Sequence, residues 1–371
     1  MKKIIVLGAG MVGSAIAIDL SKKYNVTSAD INPDNLNKLK SYKIKTVLAN
    51  LADKEELKKL VKDFDLVIGA VPGFMGFDTL RNVIEAGKNI VDISFFNEDP
   101  FELNSLAEKN KVSAVVDCGV APGLSNIILG YHNKKMNINS FKCYVGGLPF
   151  KQTLPYQYKA PFSPVDVIEE YTRPARVVEN GKIVIKEALS EPEFIEAENI
   201  GTLEAFNTDG LRSLLKTMKI PFMVEKTLRY PGHINIIKAL KQSGFFSDEP
   251  VEVKGVYVKP VDLASKLLFP LWKLEENEEE FTYMEIHING EVKKKPVKLS
   301  YTLFDCYDKE TNTSSMARTT GYTCAAAADL ILKGKFKRRG ISSPEYLGED
   351  ETCFKRIISY LEERGIVLKK N

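Results

Sequence analysis

The run Ile4-Ile5-Val6-Leu7, followed at once by Gly8-Ala9-Gly10-Met11-Val12-Gly13, constrains this chain more than any other stretch. Four apolar residues without alternation read as a parallel strand covered on both faces. The three glycines complete G-x-G-x-x-G: Gly8 for a tight turn, Gly10 for bare backbone beside a pyrophosphate, and Gly13 for a helix seated close to the sheet. Val12, Ile16 and Leu20 recur every four residues among alanines, so a helix begins here and turns its amide-rich end to the phosphates. A second strand, 25–30, ends in Asp30, placed about twenty residues after the glycines, where a carboxylate reaches the adenosine ribose hydroxyls. Strand, glycines, helix, strand and acid in this order predict a dinucleotide site. The carboxylate would repel a 2′-phosphate, so the expected cofactor is NAD rather than NADP.

The alternation of strand and helix continues to residue 122, the pattern of a doubly wound parallel sheet, hence an α/β fold of the Rossmann type. Apolar runs predict strands at 46–49, 66–71, 89–94 and 113–118, with helices at 54–62, 77–86 and 100–110 between them. Ligands lie at the carboxyl ends of such strands. The expected cofactor contacts are therefore Gly8, Gly10, Met11, Val12, Gly13, Asp30, Asn50, Ala70, Val71, Pro72, Asp92, Gly119 and Val120. At 371 residues the chain is too long for one core. Past Asn133 the strands lengthen and alternate, and Asn180-Gly181 between two such runs marks a two-residue hairpin. Helices are expected at 233–243 and 261–274. The reading is a dinucleotide-binding domain over 1–122, an α+β substrate and dimerisation domain over 123–313, and helices over 314–371 that return to the first domain.

Composition removes several classes of function. The 52 basic and 49 acidic residues leave a formal charge of +3, unlike the one-sided field of a nucleic-acid binder. Lys293-Lys294-Lys295 and Glu278-Glu279-Glu280 read as solvated hairpin surface. The five cysteines are scattered, with no C-x-x-C spacing, and read as reduced thiols. His132, His233 and His287 pair with no cysteine or acid at ligand spacing, so no metal site is expected. No signal peptide precedes the first strand and no apolar run is long enough to span a bilayer, which predicts a cytoplasmic protein with no membrane partner.

Further motifs carry a resemblance: Gly69-Ala70-Val71-Pro72-Gly73, Gly119-Val120-Ala121-Pro122-Gly123, Tyr144-Val145-Gly146-Gly147-Leu148-Pro149, Glu170-Tyr171-Thr172-Arg173-Pro174-Ala175, Leu228-Arg229-Tyr230-Pro231-Gly232-His233 and Met316-Ala317-Arg318-Thr319-Thr320. With the first glycines they span nearly the whole chain, which resembles the saccharopine dehydrogenase-like oxidoreductases, and among them the lysine 6-dehydrogenases. The resemblance implies a homodimer with an NAD-binding domain and an α+β substrate domain, acting on the amine of an amino acid. Saccharopine reductases carry an acid in the turn, as G-L-D-P-G, where this chain has Ala121. That departure points to the lysine-oxidising branch. The alternatives are a condensing reductase of the saccharopine or carboxynorspermidine type, and a protein that binds a dinucleotide without turnover.

Hydride transfer from a primary amine requires the neutral amine, so a base or a desolvating pocket must act on a group whose ordinary pKa is about 10.4. His233, at a helix start, is the first candidate base; the same position suits a half-buried structural histidine. Asp209, where a strand meets a helix, is the second, and equally suits an N-cap. An α-carboxylate calls for an arginine fork, and Arg173, Arg212 and Arg229 stand in loop-like contexts, Arg173 and Arg229 within the motifs quoted above. Either could instead fasten the domain by a salt bridge. Tyr171 and Phe95 could wall an aliphatic substrate stem, or simply be core. Cys118 beside the glycine turn has no activating partner in sequence, and hydride transfer needs no nucleophile.

Overall fold

The computed structural model describes every residue except Ser163, Glu276 and Asn277, and the side chain of Pro164. The chain divides into two compact units, Met1–Met136 with Met316–Val367, and Asn137–Ser315 with Leu368–Asn371.

In the first unit β1 (Lys3–Leu7), β2 (Asn25–Asp30), β3 (Lys45–Leu48), β4 (Leu66–Gly69), β5 (Ile90–Asp92) and β6 (Ser113–Val115) are joined by a seventh strand, Gly340–Ser342. All are parallel, in the order Gly340–Ser342, β6, β5, β4, β1, β2, β3. The order reverses between β1 and β4, where Leu7 lies opposite Gly69, and that crevice is the ligand position of an open α/β sheet. The unbroken apolar runs are explained by burial on both faces: Ile4 to Leu7 and Leu66 to Ile68 have no exposed surface. The helix Met11–Ser21 follows β1, and Lys54–Val61 is capped by Asp53, whose carboxylate accepts from the amides of Glu55 and Glu56.

Three expectations are corrected here. The division falls after Met136, not after residue 122, because the helix Leu124–Asn133 packs backbone to backbone on the helix Pro344–Glu349. A Cβ at Gly130 would lie 2.1 Å from the Glu345 carbonyl oxygen, and one at Gly348 would lie 1.9 Å from that of Ile127. The helix expected at 77–86 begins at Gly73, since Pro72 in extended conformation starts it and the stretch G-F-M-G hides its periodicity. The seventh strand has only three residues, too few for a period to register.

The second unit is a mixed sheet. Its strands are β7 (Asn137–Pro149), β8 (Ala175–Glu179), β9 (Lys182–Lys186), β10 (Glu193–Ala197), β11 (Gly201–Asn207), β12 (Phe222–Arg229), the separate hairpin β13 (Val251–Val253) and β14 (Val256–Val258), then β15 (Glu280–Val292) and β16 (Lys295–Cys306). The main path runs β10, β11, β12, β7, β15, β16 and the terminal strand Leu368–Lys370, with β8 and β9 attached to β12. Among the described residues of this unit only β12 and β7 pair in parallel; the other neighbouring strands are antiparallel. The terminal strand takes the last residues of the chain away from the first unit. The helices Pro164–Thr172, His233–Gln242 and Pro260–Trp272 contribute Tyr171, Ile234, Ile237, Ala264, Leu268 and Trp272 to a core shared with Phe206, Leu228 and Phe281. Glu280, expected on a solvated surface, is 1% exposed, and its carboxylate accepts from the Ser315 amide. The expected surface at Lys293 and Lys294 is a tight turn, both residues at positive φ. No helix among the described residues is long and apolar enough to cross a membrane.

Candidate active site

The dinucleotide loop sits at the reversal between β1 and β4. Gly8 adopts φ +104°, and a Cβ there would lie 2.2 Å from the Ala70 carbonyl oxygen; at Gly13 it would lie 2.1 Å from that of Gly8. Only glycine fits either position. At Gly10 the same construction meets nothing within 4 Å, which leaves the amide end of the helix Met11–Ser21 bare. Val12 is the second residue of the helix Met11–Ser21, and Met11 at the first helical position is exposed. The Asp30 carboxylate accepts from the Ala9 amide at 2.6 Å and from the Asn32 amide at 2.7 Å. It thus clamps the glycine loop to the end of β2; Oδ2 also accepts from the Asn35 side-chain amide at 3.5 Å, and Oδ1 keeps a lone pair for a ribose hydroxyl. Asn50, exposed after β3, accepts from the Ala52 amide at 3.2 Å. Ala70, Val71 and Pro72 close the crevice from β4, the Ala70 amide donating to Leu7 at 2.9 Å.

Asp92 at the end of β5 is fully buried and accepts from the Ser94 amide at 2.8 Å; its carboxylate fills the space a side chain at Gly69 would need. Its carbonyl accepts from the Cys118 amide, and the turn follows: Gly119 donates to the Pro122 carbonyl at 3.1 Å and Leu124 donates to that of Gly119 at 2.9 Å. Gly123, at φ +138°, is obligatory, since a Cβ would stand 1.8 Å from the Gly119 carbonyl oxygen. Val120 is buried and Ala121 half-buried. Burial first, then the charges of Asp117 and Asp92, push the Cys118 thiol far up, so it is inert. Phe95 is half-buried in the loop after β5. These residues fit a dinucleotide: bare amides for the pyrophosphate and a carboxylate for the ribose.

In the second unit a buried guanidinium organises the remaining candidates. Arg229, at the end of β12, is 2% exposed. It donates to Glu170 Oε2 at 2.8 Å, the Leu228 carbonyl at 2.9 Å, the Tyr171 hydroxyl at 3.1 Å and the Tyr158 hydroxyl at 3.3 Å, with its plane 4.2 Å over the Tyr158 ring. Tyr171 lies 2.9 Å from His233 Nε2, and His233 Nδ1 lies 2.8 Å from the Tyr156 carbonyl. A carbonyl only accepts, so Nδ1 carries the proton and Nε2 accepts from Tyr171. Desolvation, with the Arg229 charge second, drives the imidazole pKa down to about 3, opposed weakly by the Tyr156 bond. His233 is a neutral strut with both nitrogens engaged. Burial pushes the Glu170 carboxyl up while Arg229 holds it down, and burial lifts the Tyr171 phenol to about 12. Trp272 closes the cluster edge-on to Tyr156, Tyr158 and Tyr171 at 5.8 to 6.1 Å between centroids.

Sequence reasoning thus placed Tyr171, Arg229 and His233, and the structure brings these three together. Asp209 and Arg173 stand in separate pairs. The Asp209 carboxylate takes both arms of Arg176 at 2.8 and 2.7 Å and also the Arg176 amide at 3.1 Å. Arg173 pairs with Glu169 at 2.8 Å just beyond the helix Pro164–Thr172. Glu170, Tyr156, Tyr158, Trp272 and Arg176 were not foreseen. Glu170 lies inside a quoted motif, and Trp272 is the single tryptophan; the tyrosines occupy an irregular stretch with no period to read.

A parallel sheet bearing this glycine loop at its reversal, together with a mixed-sheet unit, defines a dinucleotide-dependent oxidoreductase. The model of the saccharopine dehydrogenase NADP binding domain matches residues 4–115, and that of the saccharopine dehydrogenase C-terminal domain matches residues 119–366. The chain belongs to the saccharopine dehydrogenase family. It is 24% identical to the saccharopine dehydrogenase [NADP(+), L-glutamate-forming] of Schizosaccharomyces pombe, over 100% of this chain and 99% of that one. It is also 24% identical to the mitochondrial alpha-aminoadipic semialdehyde synthase of Rattus norvegicus, over 67% of this chain but only 29% of the relative's length. The apo saccharopine dehydrogenase (L-Glu forming) of Saccharomyces cerevisiae superposes with a TM-score of 0.80 at 21% identity, over 100% of this chain and 99% of that one.

Proposed function

We propose that this chain oxidises the side-chain amine of L-lysine with NAD. The carbon bearing the amine gives a hydride to the nicotinamide, the resulting imine takes up water, and ammonia leaves with the semialdehyde as product. The observation that carries the substrate choice is Ala121 within the turn Gly119–Gly123, a methyl where saccharopine reductases carry an acid. An apolar surface suits a methylene chain, whereas a carboxylate suits a substrate with a charged bridging nitrogen. The cofactor choice rests on Asp30, whose carboxylate would accept from ribose hydroxyls and repel a 2′-phosphate, with no cationic side chain at Ile31 or Asn32 to receive one. The nicotinamide supplies the hydride acceptor; the protein supplies binding and orientation.

In this reading Arg173 takes the substrate α-carboxylate, while Arg229, committed to Glu170 and two tyrosines, holds the helix that carries Glu170 and Tyr171. An imidazole with a pKa near 3 is a poor proton acceptor at neutral pH, so His233 acts by fixing Tyr171, and turnover rises toward alkaline pH as the free amine gains population. Arg173→Ala then raises KM for lysine and leaves NADH affinity unchanged.

A second reading, oxidation of saccharopine with NADP, is favoured by the fission-yeast relative aligned along the whole chain. Lysine and saccharopine, each with NAD and with NADP at equal concentration, separate the two. NADH formation with stoichiometric ammonia from lysine supports the proposal. Faster turnover of saccharopine yielding glutamate without ammonia overturns it, and binding of NADH with no turnover of any amine identifies a non-catalytic protein.

A further inference from the structure

The hairpin β13–β14 belongs to neither large sheet, and among the described residues its strands pair only with each other, Val251 opposite Val258, Glu252 opposite Tyr257 and Val253 opposite Val256. Lys254 and Gly255, both at positive φ, form its two-residue turn. Every strand residue is exposed except Val258, which is half-buried, and Tyr257 is 72% exposed. A lone two-stranded ribbon is marginal in water, and a V-Y-V edge without charge is one that proteins ordinarily cover. One residue beyond β14 the helix Pro260–Trp272 begins. It buries Ala264, Leu268 and Trp272, and on the adjoining side, about a quarter-turn round, it presents Leu263, Leu267 and Leu271 at 54 to 59% exposure, a four-residue repeat of leucine.

We infer that this face is the contact between two copies of the chain, related by a twofold axis through Tyr257. The choice of a second copy follows from self-complementarity. In a two-residue hairpin closed by Val253 and Val256, the next pair turns its backbone groups outward, so Tyr257 offers its N–H and C=O to the open edge of β14. Antiparallel pairing of β14 with itself about Tyr257 joins each Tyr257 N–H to the Tyr257 C=O of the other copy, two bonds in all, sets Val256 opposite Val258 of the other copy, and places the two tyrosine rings side by side, an aromatic pair that stabilises such ladders. The other edge is excluded by its own chemistry: Pro250 ends it, and pairing about its centre would set Glu252 against Glu252.

The test is the mass of the full chain in solution. The wild type, 41.6 kDa per chain, should sediment as a dimer at micromolar concentration. Tyr257→Pro, which removes the amide at the axis, and Leu267→Glu should each raise the dimer dissociation constant at least tenfold while the thermal midpoint stays within a few degrees, both sites being exposed. Tyr257→Cys provides the positional control: hydrogen-bonded antiparallel residues lie about 5.5 Å apart at Cα, within disulfide range, so mild oxidation should give a covalent dimer and Leu267→Glu should suppress it. A monomeric wild type overturns the inference. So does a dimer that survives both substitutions and fails to cross-link through position 257.

Discussion

Replacing His233 by glutamine should remove a specific component of acid sensitivity from the second unit. The folded imidazole is neutral, with a pKa near 3, whereas the unfolded side chain titrates near 6.5. Below pH 6.5 the unfolded state therefore binds a proton that the folded state does not, and stability falls as the pH drops from 6.5 toward 3; above 6.5 this group adds no pH dependence. At 1.36 kcal/mol per pH unit, the loss between pH 6.5 and 5 is about 2 kcal/mol, and about 5 kcal/mol over the whole interval. Trp272 is the only tryptophan, fully buried and edge-on to Tyr156, Tyr158 and Tyr171, so its fluorescence in urea reads unfolding of this cluster. His233→Gln keeps a hydrogen-bonding side chain without an ionisable group. It should cost stability at pH 7.5, where the Tyr171 and Tyr156 bonds are disturbed, yet lose about 2 kcal/mol less than wild type between pH 6.5 and 5. Parallel pH profiles for the two proteins, or an NMR titration of His233 near its ordinary value, would refute the buried neutral assignment.

Glu170→Gln should lower stability by about 3 kcal/mol in urea unfolding at pH 7, since it leaves the Arg229 charge buried without its carboxylate; an unchanged midpoint would mean the tyrosines alone satisfy Arg229. Asp30→Ser combined with Ile31→Arg should turn the kcat/KM ratio toward NADP by tenfold or more, and a wild type that already prefers NADP would remove Asp30 from the ribose. Asp209→Asn should lower the thermal midpoint by breaking the two-armed pair with Arg176 while leaving kcat nearly unchanged; a large fall in kcat at unchanged midpoint would instead give Asp209 a part in the chemistry.

What the sequence alone determined is local. The glycines, β1 and Asp30 are close in the chain and obey fixed spacing, so the dinucleotide loop was legible residue by residue: a left-handed φ at Gly8 and a bare amide at Gly10 are properties of the backbone itself. The hairpin at Asn180-Gly181 and the helix at His233 were legible for the same reason. Tertiary structure decided which long-range partner each polar side chain would have. Arg229 and His233 looked like groups awaiting a substrate, and only the fold shows that Glu170, 59 residues away, and Tyr171, 62 residues away, occupy them. It likewise decided the division between units. The helix Leu124–Asn133 joins the first because Gly130 and Gly348 admit a close approach to a segment more than two hundred residues later. A glycine announces that space is needed; which backbone fills it depends on contacts that no local period encodes.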